Sequence, residues 1–256
     1  MRVPGGGSNW FGGRVSYTYS VLKDNQFGES NFFTNSGPGL PLNAYNYIEG
    51  SPYYNPRAEY GYGILDLPHR FVMSPIVEVP FGEGRRWSSS NGLIDLLAGG
   101  WTAAAVVTIQ SGFPIGVQQS DNTGTFGGAQ RPNLVDGADM STPGDLSDRL
   151  ASADHSTAAW LNPAAFTTAA AFTYGNAPRT ITDVRTPPQR NVDLSVSKNI
   201  RLGGTRFAQV RVEVINLLNR VTTSGIATTA GSSTFGQISS QSGFMRLTQF
   251  SFRYSF

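Results

Sequence analysis

Few side chains in this chain are equipped for chemistry. It has two histidines, His69 and His155, and no cysteine, which excludes thiol catalysis, disulfides and cysteine–metal sites. His155 stands in "SADHSTAAW" between Asp154 and Ser156. A Ser–His–Asp triad needs those groups to converge in space, and adjacency along the chain does not supply that. His69 opens "LPHRF" at the start of a strand-like run, where a structural role is expected rather than metal ligation or catalysis. "DNTGTFGG", residues 121–128, offers Asp121, Asn122 and Thr123. A calcium loop needs more oxygen ligands, including a carboxylate at a set distance, so a polar turn is expected there. The glycine-rich "GGGSNWFGG" and "FGEGRRW" lack the strand–loop–helix setting of a phosphate cradle. No catalytic residue, metal ligand or cofactor site is expected.

The remaining candidates are charged residues whose value depends on what positions them: Arg14, Asp193, Lys198, Arg211 and Glu213. Each lies in or beside a run with strand-like alternation. In "GRVSYTYSVLK", 13–23, Val15, Tyr17, Tyr19 and Val21 oppose Arg14, Ser16, Thr18 and Ser20. "HRFVMSPIVEVPF", 69–81, alternates less well, and its Pro75 must forgo a ladder hydrogen bond. "GGWTAAAVVTIQSG", 99–112, "NVDLSVSKNI", 191–200, and "FAQVRVEVINLL", 207–218, follow. The chain closes on "RLTQFSFRYSF", with Phe250, Phe252, Tyr254 and Phe256 on every second position.

Six strands therefore emerge, joined by connections that alternate between long (24–67, 113–190, 218–243) and short (82–98, 201–205). The 113–190 stretch reads as low in order, with an alanine-rich part, 157–172, that could form a short helix. Thirty glycines, fifteen prolines and only 14% charged residues suit a turn-rich all-β chain. The formal charge of +2 is scattered rather than clustered, so nucleic acid is not an expected partner. The start, "MRVPGGGSNWFGG", has no apolar core of a secretory signal.

Two environments would satisfy the apolar stripes. In a soluble β-sandwich they meet across a core; in a membrane barrel they face hydrocarbon while the polar faces line the lumen. Strands of about 10 residues match a tilted bilayer crossing. Aromatics near strand ends (Trp10, Phe11, Trp101, Phe207, Phe244) would suit interfacial girdles. Arg211 and Glu213 oppose Val210 and Val212, and an arginine meeting lipid near midplane would cost roughly 2–4 kcal/mol. A terminal aromatic edge strand would be an aggregation hazard in water.

"HRFVMSPIVEVPFGEG", "LLAGGWTAAAVVTIQSGFPI", "RNVDLSVSKNIRLGGTRFAQVRVEVINLLNRV" and "FGQISSQSGFMRLTQFSFRYSF" resemble successive blocks of the C-terminal barrel of TonB-dependent outer-membrane receptors, nearest to the Oar-like group. The likeness covers most of residues 60–256, and "VEVINLLNRV" with the terminal "RYSF" is its most specific part. It implies an all-β fold of antiparallel transmembrane strands, part of a 22-stranded barrel closed by a plug, importing a substrate with energy from the TonB complex. It makes His69 a habitual barrel-strand residue and Phe250, Phe252, Tyr254 and Phe256 the signal read by the barrel-assembly machinery. Arg14, Asp193, Lys198, Arg211 and Glu213 would face the lumen. The chain lacks plug, TonB-contacting segment and further strands, so residues 1–256 are expected to be one C-terminal barrel segment, inactive alone. Expected partners are outer-membrane lipid and an extracellular ligand held by the loops 24–67 and 113–190. The TonB complex would be reached only through missing N-terminal regions. A sandwich adhesin or carbohydrate-binding module and a small complete barrel remain as alternatives.

Overall fold

Period-two alternation, written six times with turn residues between, builds one antiparallel sheet. The computed structural model describes residues 10–24, 57, 60–82, 86–87, 91–122, 130–151 and 158–256. Its long strands are β1 (Phe11–Tyr19), β2 (His69–Glu78), β3 (Trp101–Gln110), β4 (Gln189–Gly203), β5 (Arg206–Ile215) and β6 (Leu247–Ser255). Each pairs with its sequence neighbour, so the sheet is a six-stranded meander with β1 and β6 at its two edges. The six runs read from the sequence are these six strands, with ends shifted by a few residues.

Register carries the alternation across the sheet. Tyr17 lies opposite Phe71, Met73 opposite Val107, Leu194 opposite Ala105 and Val214, and Val212 opposite Val196 and Phe250. Directly opposed residues share a face, so every stripe joins one continuous apolar face. No second sheet covers it among the described residues: Val15, Tyr17, Ile109, Val210, Phe250 and Phe252 are all exposed. This is not the interior of a sandwich. Nine or ten residues at a rise of ~3.3 Å, tilted by ~45°, cover roughly 23 Å, close to the ~25 Å apolar band of a membrane barrel.

Pro75 sits inside β2, which is flanked on both sides. Its ladder position faces Gly13, where an added Cβ would lie 2.8 Å from the Ser74 carbonyl oxygen and 2.9 Å from Pro75 Cα. The glycine lets the two backbones approach closely at the point where proline lacks a donor.

The connections sort by length as expected. At one rim lie the 79–100 connection, which includes helix α1 (Gly92–Ala98), and the turn between β4 and β5, where Gly203 and Gly204 have φ of 96° and 60°. At the other rim lie the three long loops. The 113–190 segment corrects the expectation of low order. It contains helix α2 (Leu146–Ala151) and the short pairs Pro114–Ile115 with Ile181–Arg185 and Asn133–Leu134 with Phe166–Thr167. The buried hydrophobic core of the described chain lies here: Ile115, Val117, Leu161, Phe166 and Ile181, joined by Ala230 and Phe235 from the last loop. Phe166 and Phe235 meet edge to face at 5.3 Å. Ala158 is helical, but no α-helix runs through 159–172. Only Pro163–Ala165 makes a 3-10 turn, started by Asn162 Oδ1 accepting from the Ala164 N–H at 3.0 Å. Phe166 then enters a strand, because burying it against Phe235 outweighs alanine's helical preference.

Candidate functional site

Two surfaces could act: the polar face of the sheet and the loop platform above it. On the polar face, Asn199, Gln209 and Arg211 form a chain. Gln209 Nε2 donates to Asn199 Oδ1 at 2.9 Å and Arg211 donates to Gln209 Oε1 at 3.4 Å. Arg211 also stands 3.6 Å from Glu213, both about 40% exposed. Asp193 is on the same face at the loop rim, taking Asn191 Nδ2 on both oxygens at 2.9 Å and the Asn216 N–H at 2.9 Å. Arg14 shares this face, opposite Ser74, but three strands separate β1 from β5 and it does not join the chain.

Lys198 differs from the expected ladder. Its partners in register are Trp101 and Val210, so it belongs to the apolar face. Its ammonium bends to the rim, donating to the Leu97 carbonyl at 3.2 Å and the Gly99 carbonyl at 2.6 Å, 4.8 Å from the Trp101 ring centroid. A long stem along apolar surface with its charge at the edge is snorkelling. Phe207 is also corrected: it lies opposite Arg201 and Ser255, away from the aromatic stripe.

The loop platform is held by charges that sequence patterns did not single out. Asp66, fully buried, accepts from the Leu22 N–H at 2.6 Å and from Arg185 at 2.7 Å. Arg185 also donates to the Asp66 and Gly112 carbonyls and stacks near Tyr62. Arg179, also buried, meets Asp24 Oδ1 at 2.5 Å and its carbonyl at 2.7 Å. Two ion pairs thus strap the first long loop to the second. Arg149 of α2 donates to the carbonyls of Thr142, Gly144, Ala159 and Trp160 and lies 4.7 Å from the Trp160 ring. Burial lowers its pKa, partly countered by Asp145; a guanidinium nevertheless stays protonated. Trp160 Nε1 donates to the Arg185 carbonyl at 2.7 Å, linking cage to strap.

"INLLNR" has a local mechanism. Asn216 and Asn219 take φ of 53° and 49°. The Asn216 amide donates to the Arg220 and Phe244 carbonyls while its oxygen accepts from the Arg220 N–H at 2.9 Å. Asn219 Oδ1 accepts from the Arg246 N–H at 3.1 Å. The two asparagines tie the exit of β5 to the entry of β6.

His69 is a girdle residue. Tyr17 Oη and His69 Nδ1 are 2.8 Å apart, and the Tyr19 ring lies 5.4 Å away. His155 and residues 123–128 of "DNTGTFGG" lie outside the described residues. Asn122 donates to three carbonyls, of Ala169, Ala170 and Thr173. Among the described residues no group of three or more His, Asp and Glu side chains could hold a metal ion.

An exposed apolar face as long as a bilayer band, with tyrosines at one rim and Trp101 and Tyr254 at the other, leaves lipid as its solvent. A family model described as Outer membrane beta barrel domain matches residues 7–249. The chain belongs to that family. No curated protein and no solved structure matches it. The barrel domain resides in the outer membrane of a Gram-negative bacterium, with β1–β6 as an open part of the barrel, the long loops extracellular and the 79–100 and 204–205 connections periplasmic. Phe250, Phe252 and Tyr254 project on the apolar face of β6, and Phe256 follows it, 93% exposed and 6.0 Å from the Tyr254 ring.

Proposed function

We propose that this barrel domain is the C-terminal part of a TonB-dependent outer-membrane receptor of the Oar-like kind, taking up a substrate captured by its extracellular loops, with no enzymatic step. The observation that carries this reading is the open meander. β1 and β6 do not pair with each other, and hydrocarbon cannot satisfy two free strand edges. A small barrel closed by β1 and β6 therefore has no support, whereas a larger barrel supplies strands for both edges. On this reading Arg14, Asp193, Arg211 and Glu213 line the lumen against a plug, and Lys198 serves the rim. Phe250, Phe252, Tyr254 and Phe256 address the chain to the barrel-assembly machinery, and the TonB complex acts through regions N-terminal to these strands. The braced loop platform supports a receptor role, because ligand recognition favours loops held by a rigid scaffold.

The test is the size of the native product. Antibodies against the 130–186 loop should detect, in outer-membrane fractions, a heat-modifiable band much larger than 256 residues can give. The reading frame upstream of the Met1 codon should encode more alternating strands and a plug. A band of this chain's own size would overturn the receptor reading.

A further inference from the structure

Helix α1 is too apolar for its position if water surrounds it. Its sequence is GLIDLLA. Leu93 and Leu97 are 70% and 72% exposed, and Ile94 and Leu96 are also exposed. At 100° per residue these four fall on one side of the helix and position 95 on the other. Leu96 lines a cleft with Val79, Phe81 and Trp101, and nothing in the described chain covers Leu93 or Leu97.

The hydrogen bonds say where the helix lies. Trp101 Nε1 donates to the Leu97 carbonyl at 2.9 Å. Lys198 donates to Leu97 and Gly99 carbonyls. Trp101 and Lys198 face each other in register on the apolar side of the sheet, at its periplasmic end. The C-terminal end of α1 is therefore fastened to the lipid-facing wall, by the two side chains best suited to a membrane–water boundary.

We propose that α1 is an interfacial anchor, with Leu93, Ile94, Leu96 and Leu97 set into the periplasmic leaflet of the outer membrane and phospholipid as their partner. The surface continues the apolar face that already meets lipid. Its charge also fits: Arg86, Lys198 and Arg206 stand at this rim, with Arg201 and Glu78 on the polar face, and Arg86 lies 5.8 Å from the Trp87 ring. Cations and indoles at headgroup depth beside an amphipathic helix are the features of in-plane membrane binding. The anchor depends on the outer-membrane location alone and not on the receptor reading.

The chain contains no cysteine, so Leu97→Cys introduces the one thiol of residues 1–256, and labelling of the unsubstituted protein gives the background to subtract. The variant is expressed in the native full-length protein, labelled with an environment-sensitive fluorophore in isolated outer membranes, and checked for heat-modifiable migration. Spin-labelled phospholipid, carrying its nitroxide high on the acyl chain, should quench the emission, and aqueous iodide should not. Quenching by iodide without quenching by lipid would place the helix in water and overturn the anchor. Protection from both would overturn it in favour of a protein covering the helix. Leu93→Cys provides the same readout should Leu97→Cys fail to fold.

Discussion

The sheet and the loop platform solve opposite problems. In β1–β6 the large apolar side chains share one exposed face, with Phe250 and Phe252 70% or more exposed, and the polar side chains share the other. In the 113–190 and 218–243 loops the order is reversed: Leu161 is fully buried, with Ile115, Val117 and Ile181 around it, while Phe172 stays exposed. The same chain is thus written for two solvents. The sheet draws its stability from ladder hydrogen bonds that lipid cannot replace. The platform relies on burial from water and on a few buried charges that must stay paired.

The largest separation of the two regions should come from Asp66→Ala. It leaves Arg185 and the Leu22 N–H without their carboxylate, and breaking such a buried pair costs about 3–5 kcal/mol. Protease added to intact cells should then nick the loops readily, while heat-modifiable migration of the barrel persists. Loss of both together would mean that the platform and the sheet fold as one unit.

Next in size is a pair of arginines in the sheet. Val212→Arg, opposite Val196 and Phe250 at mid-strand, should cost about 2–4 kcal/mol in a urea titration of the folded barrel. Ser251→Arg, one residue from Phe250 but opposite Arg211, should stay within about 1 kcal/mol, the scale of like-charge neighbours across strands. Equal costs would contradict the assignment of faces.

A smaller effect is expected inside the platform. Trp160→Phe keeps a ring near Arg149 but removes the donor to the Arg185 carbonyl, a loss of about 0.5–1.5 kcal/mol. It should appear as modestly faster loop proteolysis with unchanged barrel stability. Smallest is the Arg211–Glu213 pair, 3.6 Å apart and well solvated. A double-mutant cycle should return about 0.2–1 kcal/mol, falling with added salt. A larger coupling would mean that something dry, such as a plug, covers this face.

How much of this was legible differs between the regions. The strands, their order and the shared polar face of Arg211 and Glu213 follow from alternation, which any strand obeys locally. Lys198 shows how far the pattern reaches: its even number puts it in line with Val192, Leu194 and Val196, and only its long stem carries the charge to the Leu97 and Gly99 carbonyls at the rim. The straps were not legible. Asp66 and Arg185, or Asp24 and Arg179, carry no periodicity and lie 119 and 155 residues apart. Their one visible sign is the presence of charge in loops otherwise rich in Gly, Pro, Ser and Thr.

The sequence by itself determined six strands that each carry one apolar and one polar face, because side chains alternate by residue and the turns are marked by glycine, asparagine and proline; the alternation alone left a sandwich core and lipid both open. Only the tertiary structure decided that the connecting loops own the buried core, that Asp66 and Arg149 hold it, and that α1 hangs on the outer wall beside Trp101 and Lys198. Those outcomes depend on contacts between segments far apart in the chain, and no local pattern encodes which distant partner a buried charge or an exposed leucine will meet.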